Sequence, residues 1–429
     1  MNEKGLFEEE IFEELNCFSN SDSNFRKVLS SMCTVPHPIA VKAYNQFIHS
    51  NIGDPGLFHG TAEMEKHVVE MISDILCHPN PKDAYGHLTS GGTESNIEAV
   101  LHMKNRYMIF CGDVSCNNNH SAISAVPTAS TTSAASTIPA ASTIPVVSAA
   151  NKLNLVLPKT AHFSFEKIAN LLDIQLKKAD VDSNFRVIPE SMESLIDENT
   201  IGLVGIAGNT EFGEVDPIEQ LSEIALKYNL PLHIDAAFGG FVFPFLEKPE
   251  TIGFDVFGVT SVSIDPHKMG LSVIPAGVLI FKDESFLNLS MDKIKVKTPY
   301  LTSKYQSTLT GTRSGAAVAA TYSVMKYLGK EGYKKNVAYC MDLADYFQKE
   351  LQKINLRPYL VPRINIVAVS VGSYEKTNQI RSLLLEKYGW NVSAAKTIPA
   401  LRFVLMPHVT KEDISLLISD LKELLDSEI

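Results

Sequence analysis

The chain has 429 residues, with 49 acidic side chains against 38 basic ones and a formal charge of −11. Hydrophobic residues make up 45% and charged ones 20%, the proportions of a globular protein large enough for a sizeable core. The negative balance argues against a nucleic-acid binder or a protein held to anionic membranes, and no apolar run approaches the ~20 residues that a bilayer span requires.

The opening, MNEKGLFEEEIFEEL, is acidic where a signal peptide needs a basic segment and an apolar core, so a cytoplasmic protein is expected. Within it Leu6, Phe7, Ile11, Phe12 and Leu15 recur at helical spacing and predict an amphipathic helix. The six cysteines are too scattered for a disulfide framework. Cys111, Cys116 and His120 are close enough to hold a metal, but one pair without a second reads better as incidental reduced thiols.

A turn-rich stretch, NIGDPGLFHG at 51–60, precedes a predicted helix over 62–77. A second helix starts in the turn Thr89-Ser90-Gly91-Gly92-Thr93 and runs to about Arg106. Residues 114–151 then contain no Asp, Glu, Lys or Arg, and ASTIP occurs twice. That composition has too little apolar bulk to offset ordering entropy and predicts a disordered surface insertion. Strands follow at 153–157, 201–207, 231–235, 256–264 and 276–282. After the second of these, Asp216-Pro217-Ile218-Glu219 reads as a helix start: Asp216 as cap, Pro217 first in the helix, Glu219 reaching back. The alternation predicts the α/β class, a mostly parallel sheet covered by helices on both faces.

Beyond Gly315 the pattern changes to two long helices (316–328 and 333–353), a strand at 364–371, a helix at 377–388, a strand at 401–406, and a last helix opened by Thr410 with Asp413. The division expected is an N-terminal segment at 1–60, a large domain at 61–295, a loop at 296–314 and a small α+β domain at 315–429.

Three segments carry chemistry. In SVSIDPHKMG at 261–270 a β-branched strand ends in a Pro turn with Lys268 just beyond it, a position suited to Schiff-base chemistry or to an ordinary surface lysine. In LHIDAAFGG at 232–240 Asp235 ends a strand and is followed by two alanines that leave room for a flat ring. A buried carboxylate needs a cationic or hydrogen-bonding partner, such as a protonated pyridine nitrogen. A metal held by His233, Asp235 and His267 is the competing reading. In TSGGTESN at 89–96 glycines and hydroxyls at a helix start form either a phosphate site or a plain capped turn.

Phosphate cradle, aspartate and lysine together are the requirements of pyridoxal 5′-phosphate. HIDAAFGG followed by SIDPHKMG resembles the group II amino-acid decarboxylases of the fold-type I pyridoxal-phosphate superfamily. NIGDPGLFHGT, LTSGGTESN, KTAHFSF, GIAGNTEFGEVDPI, TLTGTRSGA and LRFVLMPHVT are similar to the archaeal L-tyrosine/L-aspartate decarboxylases among them. The resemblance implies a fold-type I architecture and a cytoplasmic homodimer with shared active sites. It implies decarboxylation of L-tyrosine to tyramine, for methanofuran, or of L-aspartate to β-alanine, for coenzyme A. Aminotransferases and carbon–sulfur or aldol lyases of the superfamily share the lysine–aspartate pair and are the alternative. Under the resemblance Lys268 anchors the cofactor covalently, Asp235 pairs with the ring nitrogen, and His162 and Ala237 cover the two ring faces. Gly91, Gly92, Thr93 and His267, with Ser261 or Ser263, hold the phosphate. Thr210 rather than Asn209 meets the ring hydroxyl, where the family's usual Thr-Thr is Asn-Thr. Arg402 takes the substrate carboxylate, Tyr300 or Tyr305 supplies the proton at Cα, and Leu57, Phe58 and His59 line the substrate slot.

Overall fold

The computed structural model describes residues 3–116, 152–284, 295–299, 301–302 and 305–427, at 111–116 the backbone alone. The insertion is therefore outside the described residues from 117 to 151, as are Tyr300, His120 and the side chains of Cys111 and Cys116.

Seven strands form the main sheet: β1 (Tyr85–Thr89), β2 (Asn154–Pro158), β3 (Gln175–Ala179), β4 (Thr200–Ile206), β5 (Leu232–Asp235), β6 (Val259–Ile264) and β7 (Gly277–Phe281). Their spatial order is β1-β7-β6-β5-β4-β2-β3, and every neighbouring pair is parallel except the two that β7 makes. All residues of β2, β4, β5 and β7 are buried. Burial on both faces explains why TIGLVGI and GVLIF are nearly continuous apolar runs. The α/β expectation is met, although β1 was not foreseen because Gly86 and His87 break its apolar pattern.

Helices α1 (Glu8–Ser21), α2 (Pro38–Gln46), α3 (His59–Ile75), α4 (Gly92–Cys116), α5 (Ser164–Leu172), α6 (Pro189–Ser194) and α7 (Ile218–Lys227) accompany this sheet. The amphipathic N-terminal helix forms, yet α1 buries none of its residues, and Phe7, Phe12 and Phe18 stand exposed. The expected cap of α7 does not form. Pro217 occupies the cap position, and the Asp216 carboxylate instead accepts the N–H groups of Val187 and Ile206, both at 2.8 Å. Buried backbone donors are costlier to leave unpaired than a helix end near water, so they win the carboxylate.

The two long helices predicted after Gly315 run end to end as α8 (Gly315–Lys353), broken only at Gly329 (φ 56°, ψ −174°). Its first part packs on α2 and α3. Its second part sends Leu343, Phe347 and Leu351 into a separate core under a small antiparallel sheet. That sheet has the order β10 (Ile366–Ser370), β12 (Ala400–Val404), β11 (Ser393–Ala394), with β8 (Val296–Lys297) and β9 (Tyr305–Gln306) pairing apart from it. Helices α9 (Tyr374–Tyr388) and α10 (Lys411–Asp426) cover it, and α10 opens with the predicted reciprocal bonds between Thr410 and Asp413. Among the described residues no helix is long and apolar enough to cross a membrane.

Candidate cofactor-binding active site

The parallel strands β4, β5 and β6 end on one edge of the sheet, where ligand crevices form in such folds. A cleft of about 410 Å³ opens there. It is lined by Gly91, Gly92, Thr93, His162, Thr210, Asp235, Ala237, His267 and Lys268, residues spread over 178 positions of sequence and all anticipated from it. A second hollow of about 230 Å³, near the end of α3, offers Lys330 already paired with Asp74 at 2.7 Å, so the chemistry points to the larger one.

Asp235 is buried and well held. Its Oδ2 accepts from Asn96 Nδ2 at 2.9 Å and its Oδ1 from the Ala237 N–H at 3.1 Å. Lys268, 33 residues on, reaches the same cleft from the turn after β6. Its Nζ lies 2.9 Å from Asp265 Oδ2. Burial pulls the ammonium pKa down, but the charge and hydrogen bond of Asp265, with Asp235 behind, outweigh it and raise the pKa above the usual lysine value. His162 and His267 are both pushed below the ordinary histidine range, chiefly by burial. His267 Nδ1 donates to the Ala276 carbonyl at 2.6 Å, which leaves Nε2 toward the glycine turn.

That turn joins β1 to α4. Cβ atoms on Gly91 and Gly92 would stand 3.1 Å from His267 Cε1 and 3.0 Å from Ala237 Cβ, and Gly91 has φ +155°, so the backbone itself forms this wall. The Ser90 N–H donates to Glu94 Oε2 at 2.7 Å, closing the helix start. On the two sides of the turn His87 Nε2 lies 3.1 Å from buried Glu98 Oε2. Burial raises the Glu98 pKa, but His87 and His102 outweigh it and hold it well below the carboxylate range.

Other expectations are corrected. His233 does not converge with Asp235 and His267 on a metal: its Nδ1 meets Ser261 Oγ at 2.9 Å and its Nε2 meets Asn96 Oδ1 at 3.0 Å. Among the described residues no cluster of three or more candidate ligands occurs. The Ser261 and Ser263 hydroxyls are likewise turned to His233 and to Asn96 and Asp235, not to the glycine turn. Asn209 spends its side chain on Phe185 O and the Phe212 N–H, leaving Thr210 at the cleft. Leu57, Phe58 and His59 do not line the cleft of their own chain, and Leu57 is 67% exposed. Their loop packs instead against Thr302, at Gly56, and Gly311, at Gly53. Tyr305 is exposed under Lys295, and Tyr300 is outside the described residues.

Arg402, expected at the substrate, sits on β12, 5% exposed and not among the residues lining the cleft, packed behind Thr210, which does line it. Its Nε donates to Thr210 O, and its Nη1 to Ser30 O and Ser393 Oγ at 3.1 and 3.0 Å. Its Nη2 is buried without a partner. Burial brings its pKa down to about 10, still a cation at neutral pH. Asp265, Asn96, Cys33 and Thr160 also line the cleft and were not singled out in the sequence. Asp265 was visible three residues before Lys268, and Asn96 at the end of TSGGTESN; Cys33 and Thr160 had no such signal.

These residues fit pyridoxal 5′-phosphate. The cleft volume suits a small cofactor, the glycine wall suits a phosphate, and Asp265 Oδ1 and Thr160 Oγ1 are buried cleft atoms without hydrogen-bond partners. Comparisons with known proteins agree. The family described as "Pyridoxal-dependent decarboxylase conserved domain" matches residues 140–371, more than half of the chain. A protein of Methanosarcina acetivorans titled "Probable L-tyrosine/L-aspartate decarboxylase" is 50% identical, covering 99% of each chain. One of Archaeoglobus fulgidus titled "Probable L-aspartate decarboxylase" is 40% identical over 97% of this chain and 99% of its own. Among solved structures, glutamate decarboxylase of Lactobacillus brevis superposes with a TM-score of 0.84 at 21% identity, covering 99% of this chain and 94% of that one. Sphingosine-1-phosphate lyase of Burkholderia pseudomallei gives 0.80 at 24%, covering 99% and 92%. At such identities the two structures speak for the fold.

Proposed function

Starting from a chain that belongs to the pyridoxal-dependent decarboxylase family, we propose that it removes the α-carboxylate of L-tyrosine or L-aspartate, with the residues of this cleft in the roles that follow. Pyridoxal 5′-phosphate, when bound, supplies a sink for the electron pair left at Cα as CO₂ departs. Lys268 would anchor its aldehyde, and Asp235 would hold the proton of its ring nitrogen. His162 and Ala237 would bound the ring, Thr210 would meet its hydroxyl, and Gly91, Gly92 and Thr93 would hold its phosphate, joined by His267 once the phosphate's charge protonates Nε2. The single observation carrying this reading is that the Lys268 amine and the Asp235 carboxylate line one cleft whose third wall is the glycine turn.

Arg402 would bind the substrate's carboxylate through the unpaired Nη2, fixing the Cα–carboxylate bond relative to the ring. The buried surroundings keep water from the departing group. Homodimerisation is part of the proposal: the exposed apolar side chains of α1 offer a face to a second copy, and shared sites would account for the absence of Leu57 and Phe58 from the lining of their own cleft. So is a cytoplasmic location. L-Tyrosine is favoured over L-aspartate by one observation. Among the described cleft-lining residues Lys268 is the one fixed cation, while Met32, Phe238 and Ile274 are apolar, and a second carboxylate asks for a second cation. The products would be tyramine, of use in methanofuran, and β-alanine, of use in coenzyme A.

The test is product identification with both amino acids on the cofactor-loaded protein. CO₂ with tyramine, at a kcat/KM at least tenfold above that for β-alanine formation, is expected. Release of a keto acid without CO₂ would replace decarboxylation by transamination.

A further inference from the structure

We infer that Asn96 and His233 are positioning residues that orient the Asp235 carboxylate through a closed hydrogen-bond network. This deepens the cofactor reading of the cleft and rests on it. α4 delivers Asn96 one turn beyond the glycine turn, and β5 delivers His233 two residues before Asp235. Asn96, His233, Ser261 and Ser263 are each at most 1% exposed. A buried polar network of this kind is stabilising only when every member is paired, and here each is.

The proton directions follow from the partners. Asn96 Nδ2 donates to Asp235 Oδ2 at 2.9 Å, because a carboxylate can only accept. The Asn96 amide oxygen then receives two donors, the Ser263 hydroxyl at 2.7 Å and His233 Nε2–H at 3.0 Å. His233 Nδ1 meets the Ser261 hydroxyl at 2.9 Å, a group able to donate or accept. Burial pushes the ring's pKa down to about 4 and keeps it neutral, so with Nε2–H on Asn96 the bare Nδ1 accepts from Ser261. A flipped Asn96 amide would set oxygen against carboxylate and NH₂ against His233 N–H, so the network admits one orientation. Asp235 thereby receives one N–H on each oxygen, from Asn96 and from Ala237, and the plane of its carboxylate is set from behind the cleft.

A double-mutant cycle tests this. Pyridoxal 5′-phosphate is titrated into the apoproteins of the wild type, Asp235→Asn, Asn96→Ala and the double variant, reading affinity and the visible absorption band of the bound cofactor. Asp235→Asn should weaken binding about 100-fold and Asn96→Ala about tenfold, with the band moving in the same direction in both, and the double variant should be no weaker than Asp235→Asn alone within about threefold. A double variant weaker by the product of the two losses, about 1000-fold, means Asn96 acts independently and overturns the inference. If Asp235→Asn leaves both readouts unchanged, the cofactor reading itself has failed, and the inference with it. Should Asn96→Ala not fold, His233 carries the test. His233→Gln, which keeps a donor for Asn96, should bind within about threefold of wild type, and His233→Leu about tenfold more weakly; equal losses in both overturn the inference.

Discussion

The two sides of the cleft are built on opposite rules. Around Asp235 the polar atoms of Asn96, His233, Ser261 and Ser263 all have partners, and the carboxylate is held by donors from two elements. Around Lys268 the structure leaves buried polar atoms unspent: Asp265 Oδ1 and Thr160 Oγ1 lack partners, and so does Arg402 Nη2 just outside the lining, behind Thr210. An unpaired buried donor or acceptor costs about 1–3 kcal/mol, and a ligand that pairs it recovers that cost. The satisfied side is a fixed mould, and the unsatisfied side holds the groups that meet something arriving from outside.

That contrast can be broken by substitution. Lys268→Ala has the largest expected effect: no covalent cofactor and turnover down by at least about 10⁴-fold, read by absorbance and CO₂ release. A coloured, active variant would move the anchor elsewhere. Arg402→Met comes next. It removes the guanidinium and keeps most of its apolar stem, so kcat/KM should fall by about 100-fold while cofactor binding changes little. A loss of cofactor affinity instead would assign Arg402 to domain packing. The smallest effect belongs to Asp265→Asn. Asp265 raises the Lys268 pKa, so the ammonium persists to higher pH; without that anion the free amine appears at lower pH. The pH profile of cofactor attachment to the apoprotein should therefore move to lower pH. A profile that stays in place would mean that Asp265 has little hold on the lysine in solution.

What the sequence made legible was what is local. Lys268 after a strand and a Pro turn, Asp235 before two alanines, and Gly91-Gly92 at a helix start each carry their role within a few residues. The alternation of buried runs such as β4 and β7 likewise foretold the sheet. Partners far apart in sequence did not show. Asn96 and Asp235 are 139 positions apart, and only the fold makes the histidine beside Asp235 a support for Asn96 and not a ligand. Asp216 looked like a cap because the local pattern fitted one, but the competing buried donors at Val187 and Ile206 come from other elements. The slot assigned to Leu57 and Phe58 rested on the resemblance alone, and the chain turns that loop toward Thr302 and Gly311.

Gly329 gives the long helix between the two sheets a particular sensitivity. Its φ of 56° with ψ of −174° belongs to a region that L-residues enter only at a cost, yet nothing lies within 4 Å of where a Cβ would stand. The demand at this joint is torsional and not steric. Handedness, not bulk, decides which residue can occupy it, so the angle between the halves of the molecule is written into the absence of a single stereocentre.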